Sequence, residues 1–417
     1  MPPRRRGVRN RRAARAPPAV AAGDRLSALP DDVLHHLLSF LPAQEAVRTC
    51  VLARRWRALW RSATGLLIAC GADEPAACVK ELREFVDHLL LLRGGSPLDT
   101  CELWLFEFED DDMPRMNLWI RHILMCKVQV LSLNIHRYGP YYDDPWLQLD
   151  ELPLVSQHLR RLELSSLQLN DSFVDFSYCP ALEILEFRDC DFVNAYRISS
   201  QSLKCLSFND ECYFDPSCRT RIYAPNLVSL WLEVGYTRTP LLERMPSLVD
   251  AVVKLDDSEY DCCDKAISGD CKYEKCSSCY GAKGDTNNCV LLQGLSKAQS
   301  LALISDVEIF IFRRDLKRCP IFSNLKTLLL NEYWCVPADL SALLCILEHS
   351  PVLEKLTLQL FCKESKGKVK IKGSPEPTQR SASICEHLKM VEVKCKMVDE
   401  RVLNVLKFLS KLNIRGF

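Results

Sequence analysis

Cysteine is the residue type best placed to do chemistry in this sequence, and its densest run lies between residues 254 and 296. Six of the 22 cysteines fall in DCCDKAISGDCKYEKCSSCYGAKGDTNNC. Cys276-x-x-Cys279 has the spacing with which two thiolates chelate zinc, and Cys271 and Cys289 could complete four ligands. A second Cys-x-x-Cys pair, typical of a strong zinc site, does not occur. A polar cysteine-rich loop and a redox site therefore stay open beside the zinc interpretation.

Other arrangements that support catalysis do not occur in the sequence. It contains no phosphate-cradling glycine loop, no HExxH pair and no GxSxG elbow. His35 and His36 lie inside a predicted helix, where exposed positions explain them better than metal ligation. The acidic run at 107–112 could bind a cation, but a solvated loop accounts for it better. We therefore expect a chain that binds other molecules, is not an enzyme and needs no cofactor.

The elements that would position a binding surface begin with residues 24–61, DRLSALPDDVLHHLLSFLPAQEAVRTCVLARRWRALWR. Pro30 suits the first turn of a helix, because its missing N–H would have no partner there. Leucine and valine recur at helical spacing up to Pro42, which is expected to end the helix. Two further short helices are predicted, the last with Trp56 and Trp60 on one side. About 40 residues rarely bury enough surface to be stable alone, so this unit should pack on a neighbour or a partner.

A second pattern, Leu-x-x-Leu-x-Leu, recurs every 21 to 24 residues between Leu159 and Leu248. Its fourth and sixth positions are two apart, so both side chains point to one face of a short strand. One such repeat cannot bury its apolar face by itself, so the repeats must stack, and a curved solenoid is predicted. Further copies are Leu182/Leu185/Phe187, Leu203/Leu206/Phe208, Leu227/Leu230/Leu232, Leu325/Leu328/Leu330 and Leu353/Leu356/Leu358.

These residues resemble a known family. LPDDVLHHLLSFLP followed by VRTCVLARRWRALWRSATGL is similar to the F-box of a large plant family with leucine-rich repeats, and CEHLKMVEVKCKMVDERVLNVLKFLSKLNIRGF resembles part of its FBD domain. The resemblance implies a Skp-type adaptor as partner and, through it, the cullin of an SCF ubiquitin ligase. The residues that match the apolar positions of the F-box, and are thus implied adaptor contacts, are Leu29, Pro30, Val33, Leu34, Leu37, Leu41, Val47, Leu52, Trp56 and Leu59.

The predicted fold is α/β and combines three parts: a small all-α three-helix F-box, a curved leucine-rich-repeat solenoid and a short α+β cap. The fifth position of each repeat points away from the core and should line a face that binds a target protein, with Trp104, Glu163, Glu186 and Trp231 as candidate contacts. The predicted boundaries are a disordered tail at 1–23, the F-box at 24–65, a helical linker at 66–97, the solenoid at 98–374 with the cysteine-rich insertion at 254–296, and the FBD-like segment at 375–417.

Composition limits the setting in which the chain works. The sequence has 54 basic and 54 acidic side chains in 417 residues, yet the basic ones are concentrated at the start. The tail RRRGVRNRRAAR lacks interleaved aromatic side chains, which makes nucleic-acid binding a poor explanation and leaves a solvated tail or a nuclear-import patch. A transit peptide stays open as well, although it would usually contain serine and the first serine here is Ser27. No apolar run approaches the ~18 residues of a membrane span, so no membrane partner is expected. We expect a nuclear or cytoplasmic protein whose cysteines stay reduced.

The predicted function is that of substrate receptor in an SCF-type E3 ubiquitin ligase, in which the F-box binds the adaptor and the repeats bind an unidentified target. Two alternatives come from other classes. A non-ligase interaction scaffold would bind partners without their ubiquitination. A zinc-dependent nucleic-acid factor would use the arginine-rich tail and the cysteine-rich insertion.

Overall fold

The computed structural model describes most of the 417 residues and shows a mixed α/β chain. The described residues are 26–70 except 27, 76–137 except 109, 146–256 except 210, 211 and 236, residue 261, 289–335 except 307–309, 340–360 and 387–410. The predicted tail at 1–23 and the cysteines at 262–279 lie outside them. Among the described residues, no helix is both long and apolar enough to cross a bilayer.

Within the described residues the helices are 4 to 18 residues long; two precede the first strand, and the others lie between strands or after the last one. Their bounds are Asp31–Leu38, Ala43–Arg48, Ala76–Arg93, Met113–Met125, Leu292–Leu295, Phe310–Leu316, Ser341–Glu348 and Glu400–Ser410.

In the described residues, nineteen strands make up most of the regular structure after the first helices. In chain order they are β1 Gly65–Ala69, β2 Thr100–Phe108, β3 Val130–Arg137, β4 Leu147–Gln148, β5 Arg161–Ser165, β6 Leu167–Asn170, β7 Ile184–Arg188, β8 Asp191–Asn194, β9 Arg197–Ser199, β10 Cys205–Asn209, β11 Tyr213–Phe214, β12 Arg221–Tyr223, β13 Ser229–Val234, β14 Leu241–Leu242, β15 Asp250–Leu255, β16 Ser300–Ser305, β17 Thr327–Asn331, β18 Lys355–Leu360 and β19 Met390–Cys395.

Twelve of these strands form one parallel sheet, which we call the ladder. Its order is β1-β2-β3-β5-β7-β10-β13-β15-β16-β17-β18-β19, so neighbours in space follow one another along the chain. Two small parallel sheets, β11-β8-β6-β4 and β14-β12-β9, are formed by the segments that return the chain from one ladder strand to the next. This order is the one expected when each repeat packs only on its neighbours.

The register of the ladder explains why the repeat has its leucine spacing. Leu162, Leu185, Leu206 and Leu230 are aligned in four successive strands, and all are buried. The residues between the leucines point to the other face and are less buried, as the alternating burial of Arg161–Ser165 shows. The fourth and sixth positions of the repeat therefore build one continuous apolar core, as the pattern predicts.

The structure differs from the predicted linker at 66–97. Gly65–Ala69 forms β1, the first ladder strand, which pairs in parallel with β2. Only the helix Ala76–Arg93 matches the predicted helical character. The strand was missed because its sequence GLLIA is a short apolar run without alternation, which periodicity alone does not separate from a buried helix.

The F-box unit also departs from three regular helices. Its first helix ends at Leu38 rather than at Pro42, which instead precedes the second helix. The predicted third helix consists of two 3₁₀ turns, Arg54–Arg57 and Leu59–Ser62. They are separated by Ala58, whose φ of −121° lies outside the helical range.

The cysteine-rich insertion and the FBD-like segment are less separate from the ladder than the sequence suggested. Residues 254–255 of the predicted insertion complete β15, and its last part, 289–296, is packed into the core. Buried Asp315 accepts hydrogen bonds from the backbone N–H groups of Val290, Leu291 and Leu292 at 2.9, 2.7 and 3.0 Å. At the C-terminus, β19 pairs with β18, so the FBD-like segment extends the same sheet.

Candidate binding surfaces

One arginine joins the first helix of the F-box unit to the 3₁₀ turn Arg54–Arg57. Arg55 Nε donates a hydrogen bond to Asp31 Oδ1 at 2.9 Å, and its terminal nitrogen donates to the Leu29 carbonyl at 2.7 Å. Leu29 and Asp31 flank the start of the helix, where a carboxylate is also favoured by the helix dipole. This contact fixes the direction of the first helix, and with it the apolar side chains that the helix exposes.

The ten predicted adaptor contacts separate into two groups in the structure. Leu34, Trp56 and Leu59 are buried in the unit's own core, so they support the fold and are not available on the surface. The other members are exposed or half-buried. The exposed ones are Pro30, Val33, Leu37, Leu41 and Leu52, and the half-buried ones are Leu29 and Val47.

Two large apolar side chains that the prediction did not include extend the exposed group. Phe40 is 68% exposed and Val51 is 83% exposed. Phe40 lies three residues beyond Leu37, and Val51 directly precedes Leu52, so helical spacing and adjacency in the sequence were signals that could have revealed them. We call Val33, Leu37, Phe40, Leu41, Val51 and Leu52 the F-box patch. Exposed apolar residues concentrated in so short a segment are typical of a protein interface.

Basic side chains accompany the F-box patch. Arg54, Arg55, Arg57 and Arg61 are all exposed. The guanidinium of Arg61 lies 5.5 Å from the ring centroid of Trp60, which is within the range of a cation–π contact. An acidic partner would therefore find complementary charge on this unit.

Arg93, the last residue of the helix Ala76–Arg93, attaches the F-box unit to the ladder. Its two terminal nitrogens donate hydrogen bonds to the carbonyl oxygens of Trp60, at 2.9 Å, and Ala63, at 2.8 Å. The residue is only 4% exposed, and burial lowers the pKa of its guanidinium. Its position at the C-terminal end of the helix favours a cation there. The F-box unit therefore has a fixed orientation relative to the first strands of the ladder.

The exposed face of the ladder carries the four predicted target contacts, but they do not form one cluster. Trp104 and Trp231 are 44% and 42% exposed. Trp231 is aligned with Ser207, as the repeat predicts. Trp104 is aligned with Asn134, which lies two residues beyond the fifth-position residue of its strand, Ser132. Five strand spacings separate the two tryptophans, which is roughly 24 Å at the usual distance between strands.

The two predicted glutamates lie between the tryptophan strands and are paired with arginines. Arg161 Nε lies 2.5 Å from Glu163, and its terminal nitrogen lies 2.7 Å from Glu186, which also contacts Arg188 at 3.5 Å. These hydrogen bonds and charges raise the pKa of Arg161 against the opposing effect of its desolvation. The glutamates thus already have partners within the chain, and their role as target contacts stays a prediction.

Of the four cysteines considered for zinc, only Cys289 lies within the described residues. Its Sγ donates a hydrogen bond to the Arg318 carbonyl at 3.1 Å, and the side chain is buried. Burial raises the pKa of the thiol to about 12, which disfavours the thiolate that zinc needs. Cys289 therefore suits a structural role, and Cys271, Cys276 and Cys279 lie outside the described residues.

Comparison with known proteins gives the class to which this arrangement corresponds. A family model for the F-box domain matches residues 26–64, the unit that carries the F-box patch. This segment of the chain is therefore similar to an F-box domain. This match confirms the first part of the resemblance on which the sequence prediction rested.

Similarity to plant proteins extends over most of the chain. The meiotic F-box protein MOF of rice (Oryza sativa subsp. japonica) is 28% identical over 89% of this chain and 80% of its own length. An F-box/LRR-repeat protein of Arabidopsis thaliana is 28% identical over 89% of this chain and 76% of its own length. An F-box/FBD/LRR-repeat protein of the same plant is 26% identical over 94% and 91%. The predicted resemblance to plant F-box/LRR proteins with an FBD segment is confirmed.

Proposed function

We propose that the chain is the substrate receptor of an SCF-type ubiquitin ligase. The observation that carries this proposal is the F-box patch, whose apolar side chains lie on the surface of a domain that matches the F-box model. A Skp-type adaptor that covers the patch would remove this apolar surface from water. Because the adaptor connects to a cullin, the F-box unit would bring the whole chain to the ligase.

The ladder supplies the second surface. We propose that it is the curved leucine-rich-repeat solenoid expected from the sequence and that its exposed face, with Trp231 and Trp104, binds the target. Exposed tryptophans are favoured anchors of interfaces, because they bury a large area with few rotatable bonds. The FBD-like strand β19 and the helix after it would close the far end of the apolar core.

The chemistry requires no catalytic side chain of this chain. A receptor raises the local concentration of target lysines near the conjugating enzyme, and the gain depends on geometry. The contacts of Arg93 matter for this reason, because they set the direction in which the F-box and the ladder point relative to each other. A nuclear or cytoplasmic location accords with this function. A fluorescent fusion found only in another compartment would contradict that location.

A non-ligase scaffold is the alternative, and target turnover separates the two. The experiment compares the wild-type chain with Leu37→Asp in the F-box patch and with Leu118→Asp, an equally apolar and more exposed position on another helix. For a substrate receptor, proteins captured by the ladder become more stable in cells with Leu37→Asp and stay unchanged with Leu118→Asp. Unchanged lifetimes of captured proteins in both variants would contradict the ligase role and favour the scaffold.

A further inference from the structure

Two cysteines and a histidine meet on the helices and loops that connect the later ladder strands. Cys319, Cys345 and His349 each offer one ligand atom, and these atoms all lie within 4.8 Å of one another. All three side chains are half-buried, so the cluster is accessible without being fully solvated. Among the described residues, it is the only group of at least three Cys, His, Asp or Glu side chains this close together that could hold a metal ion.

The local structure places two of these groups on one side of a helix. Cys345 lies in the helix Ser341–Glu348, and His349 follows its last residue, so the two side chains are four positions apart and share a face. Cys345 Sγ lies 3.9 Å from His349 Nδ1. The same Nδ1 donates a hydrogen bond to the Cys345 carbonyl oxygen at 2.8 Å, which orients the imidazole ring, and Nδ1 must give up this proton if it is the atom that binds a metal ion.

The third group comes from the preceding repeat. Cys319 lies in the loop after the helix Phe310–Leu316, and this loop is tied to the histidine by a backbone hydrogen bond from the Phe322 N–H to the His349 carbonyl at 2.8 Å. Cys345 Sγ also lies 3.7 Å from the Leu316 carbonyl oxygen. Two consecutive repeats therefore contribute ligands to one small volume.

The two cysteine side chains affect each other's pKa in opposite directions. A hydrogen bond from the Cys319 thiol, together with the neighbouring imidazole, lowers the pKa of Cys345 to about 7, although desolvation opposes this shift. The same hydrogen bond and burial raise the pKa of Cys319. Metal binding would release the thiol protons, since the thiolate is the form that binds metal.

We propose that Cys319, Cys345 and His349 bind a soft divalent transition metal of the zinc class and thereby join two consecutive repeats. Two sulfurs and one imidazole nitrogen are a ligand set that zinc accepts, with water in the fourth position of a tetrahedron. Neighbouring ligand atoms of such a tetrahedron lie about 3.8 Å apart. The cluster needs only a small closure to reach that size. Because each repeat depends on its neighbours, the ion would stabilise the C-terminal half of the ladder.

Cobalt is the probe for this site, because thiolate ligands give bound Co²⁺ a strong near-ultraviolet absorption. The full-length chain is kept reduced and carries Cys271→Ser, Cys276→Ser and Cys279→Ser, so that the insertion contributes no Cys-x-x-Cys pair. We expect saturation at one Co²⁺ per chain, displacement by Zn²⁺ and a higher melting temperature with Zn²⁺. Cys319→Ser and Cys345→Ser should each weaken binding about tenfold or more, whereas Cys395→Ser, at a half-buried cysteine in β19, should not.

Three results would overturn the proposal. The first is no thiolate–cobalt absorption in the reduced chain, and the second is absorption that persists in Cys345→Ser with unchanged affinity. The third is that the isolated chain contains a Cys319–Cys345 disulfide and that, after its reduction, the two thiols do not bind cobalt. Circular dichroism checks that each variant is folded, and His349→Gln provides a variant that keeps both sulfurs, for which we expect weaker binding with the thiolate absorption retained.

Discussion

Arg93 is the residue whose replacement should affect the F-box unit most selectively. Arg93→Met keeps most of the apolar stem but removes both hydrogen bonds to the carbonyl oxygens of Trp60 and Ala63. The Trp60 carbonyl keeps a hydrogen bond from the Ala63 N–H at 3.3 Å, whereas the Ala63 carbonyl loses its arginine donor. Because a hydrogen bond to a charged donor contributes about 1.5–3 kcal/mol, the docking of the F-box unit should weaken by at least about 2 kcal/mol. The ladder itself should keep its stability, because the lost contacts lie outside its repeats.

Hydrogen exchange measures this effect locally. Amides of residues 26–64 should exchange at least about 30-fold faster in Arg93→Met, the factor that corresponds to 2 kcal/mol, while ladder amides stay unchanged. Arg121→Met is the matched control, because Arg121 is a half-exposed helical arginine paired with Asp150 at 2.7 Å, and such pairs contribute about 1 kcal/mol or less. Exchange of the F-box amides within twofold of wild type in Arg93→Met would refute the reasoning.

Three further predictions concern packing, the ladder face and pH. Gly65→Ala should destabilise the chain by about 1–3 kcal/mol in urea unfolding, because the new Cβ would lie 2.5 Å from the Cβ of Ser39. Gly235→Ala is the control and should be tolerated, because its new Cβ would meet nothing within 4 Å. Trp231→Ala should lower target capture without changing the melting temperature, whereas fully buried Trp334→Ala should cost about 3–5 kcal/mol of stability. Burial lowers the pKa of His136, so the folded chain favours the neutral imidazole. The folded state should therefore keep its full stability above about pH 6.5 and lose part of it as the pH falls below that value. His136→Gln should reduce the drop in melting temperature between pH 7.5 and pH 5.5.

Each of these three predictions has a result that contradicts it. Equal unfolding midpoints for the two glycine variants would show that the first strand does not pack closely on the F-box unit. A large loss of stability in Trp231→Ala would mean that this side chain supports the fold instead of a partner. An unchanged pH dependence in His136→Gln would show that other groups cause the acid sensitivity.

The ladder could be predicted well from sequence because its signal is repeated. The spacing of Leu162 and Leu164 recurs in strand after strand, and each copy predicts the same buried face of the sheet. Single events were harder to predict. Strand β1 has no alternation of apolar and polar residues. Trp104 lies two residues from the fifth position of the repeat, because β2 has nine residues and extends beyond the Leu-x-x-Leu-x-Leu pattern.

The F-box surface could be predicted only in part, and the reason is geometric. Val33 and Leu34 are equally apolar and adjacent, yet one is exposed and the other is fully buried. Their roles depend on which way the helix is turned, and that is fixed by Arg55 and by docking on the ladder through Arg93. The cluster of Cys345 and His349 had a sequence signal, the Cys-x-x-x-His spacing, but its third member comes from another repeat.

The most direct test of the account is the affinity of the full-length chain for a purified Skp-type adaptor, measured by isothermal titration calorimetry. We predict that Leu37→Asp and Leu52→Asp, both in the F-box patch, each weaken binding at least about tenfold, because each places a charge in the buried interface, and that Leu118→Asp binds like wild type. Equal affinity of all four proteins for the adaptor, or no binding by wild type, would contradict the central claim.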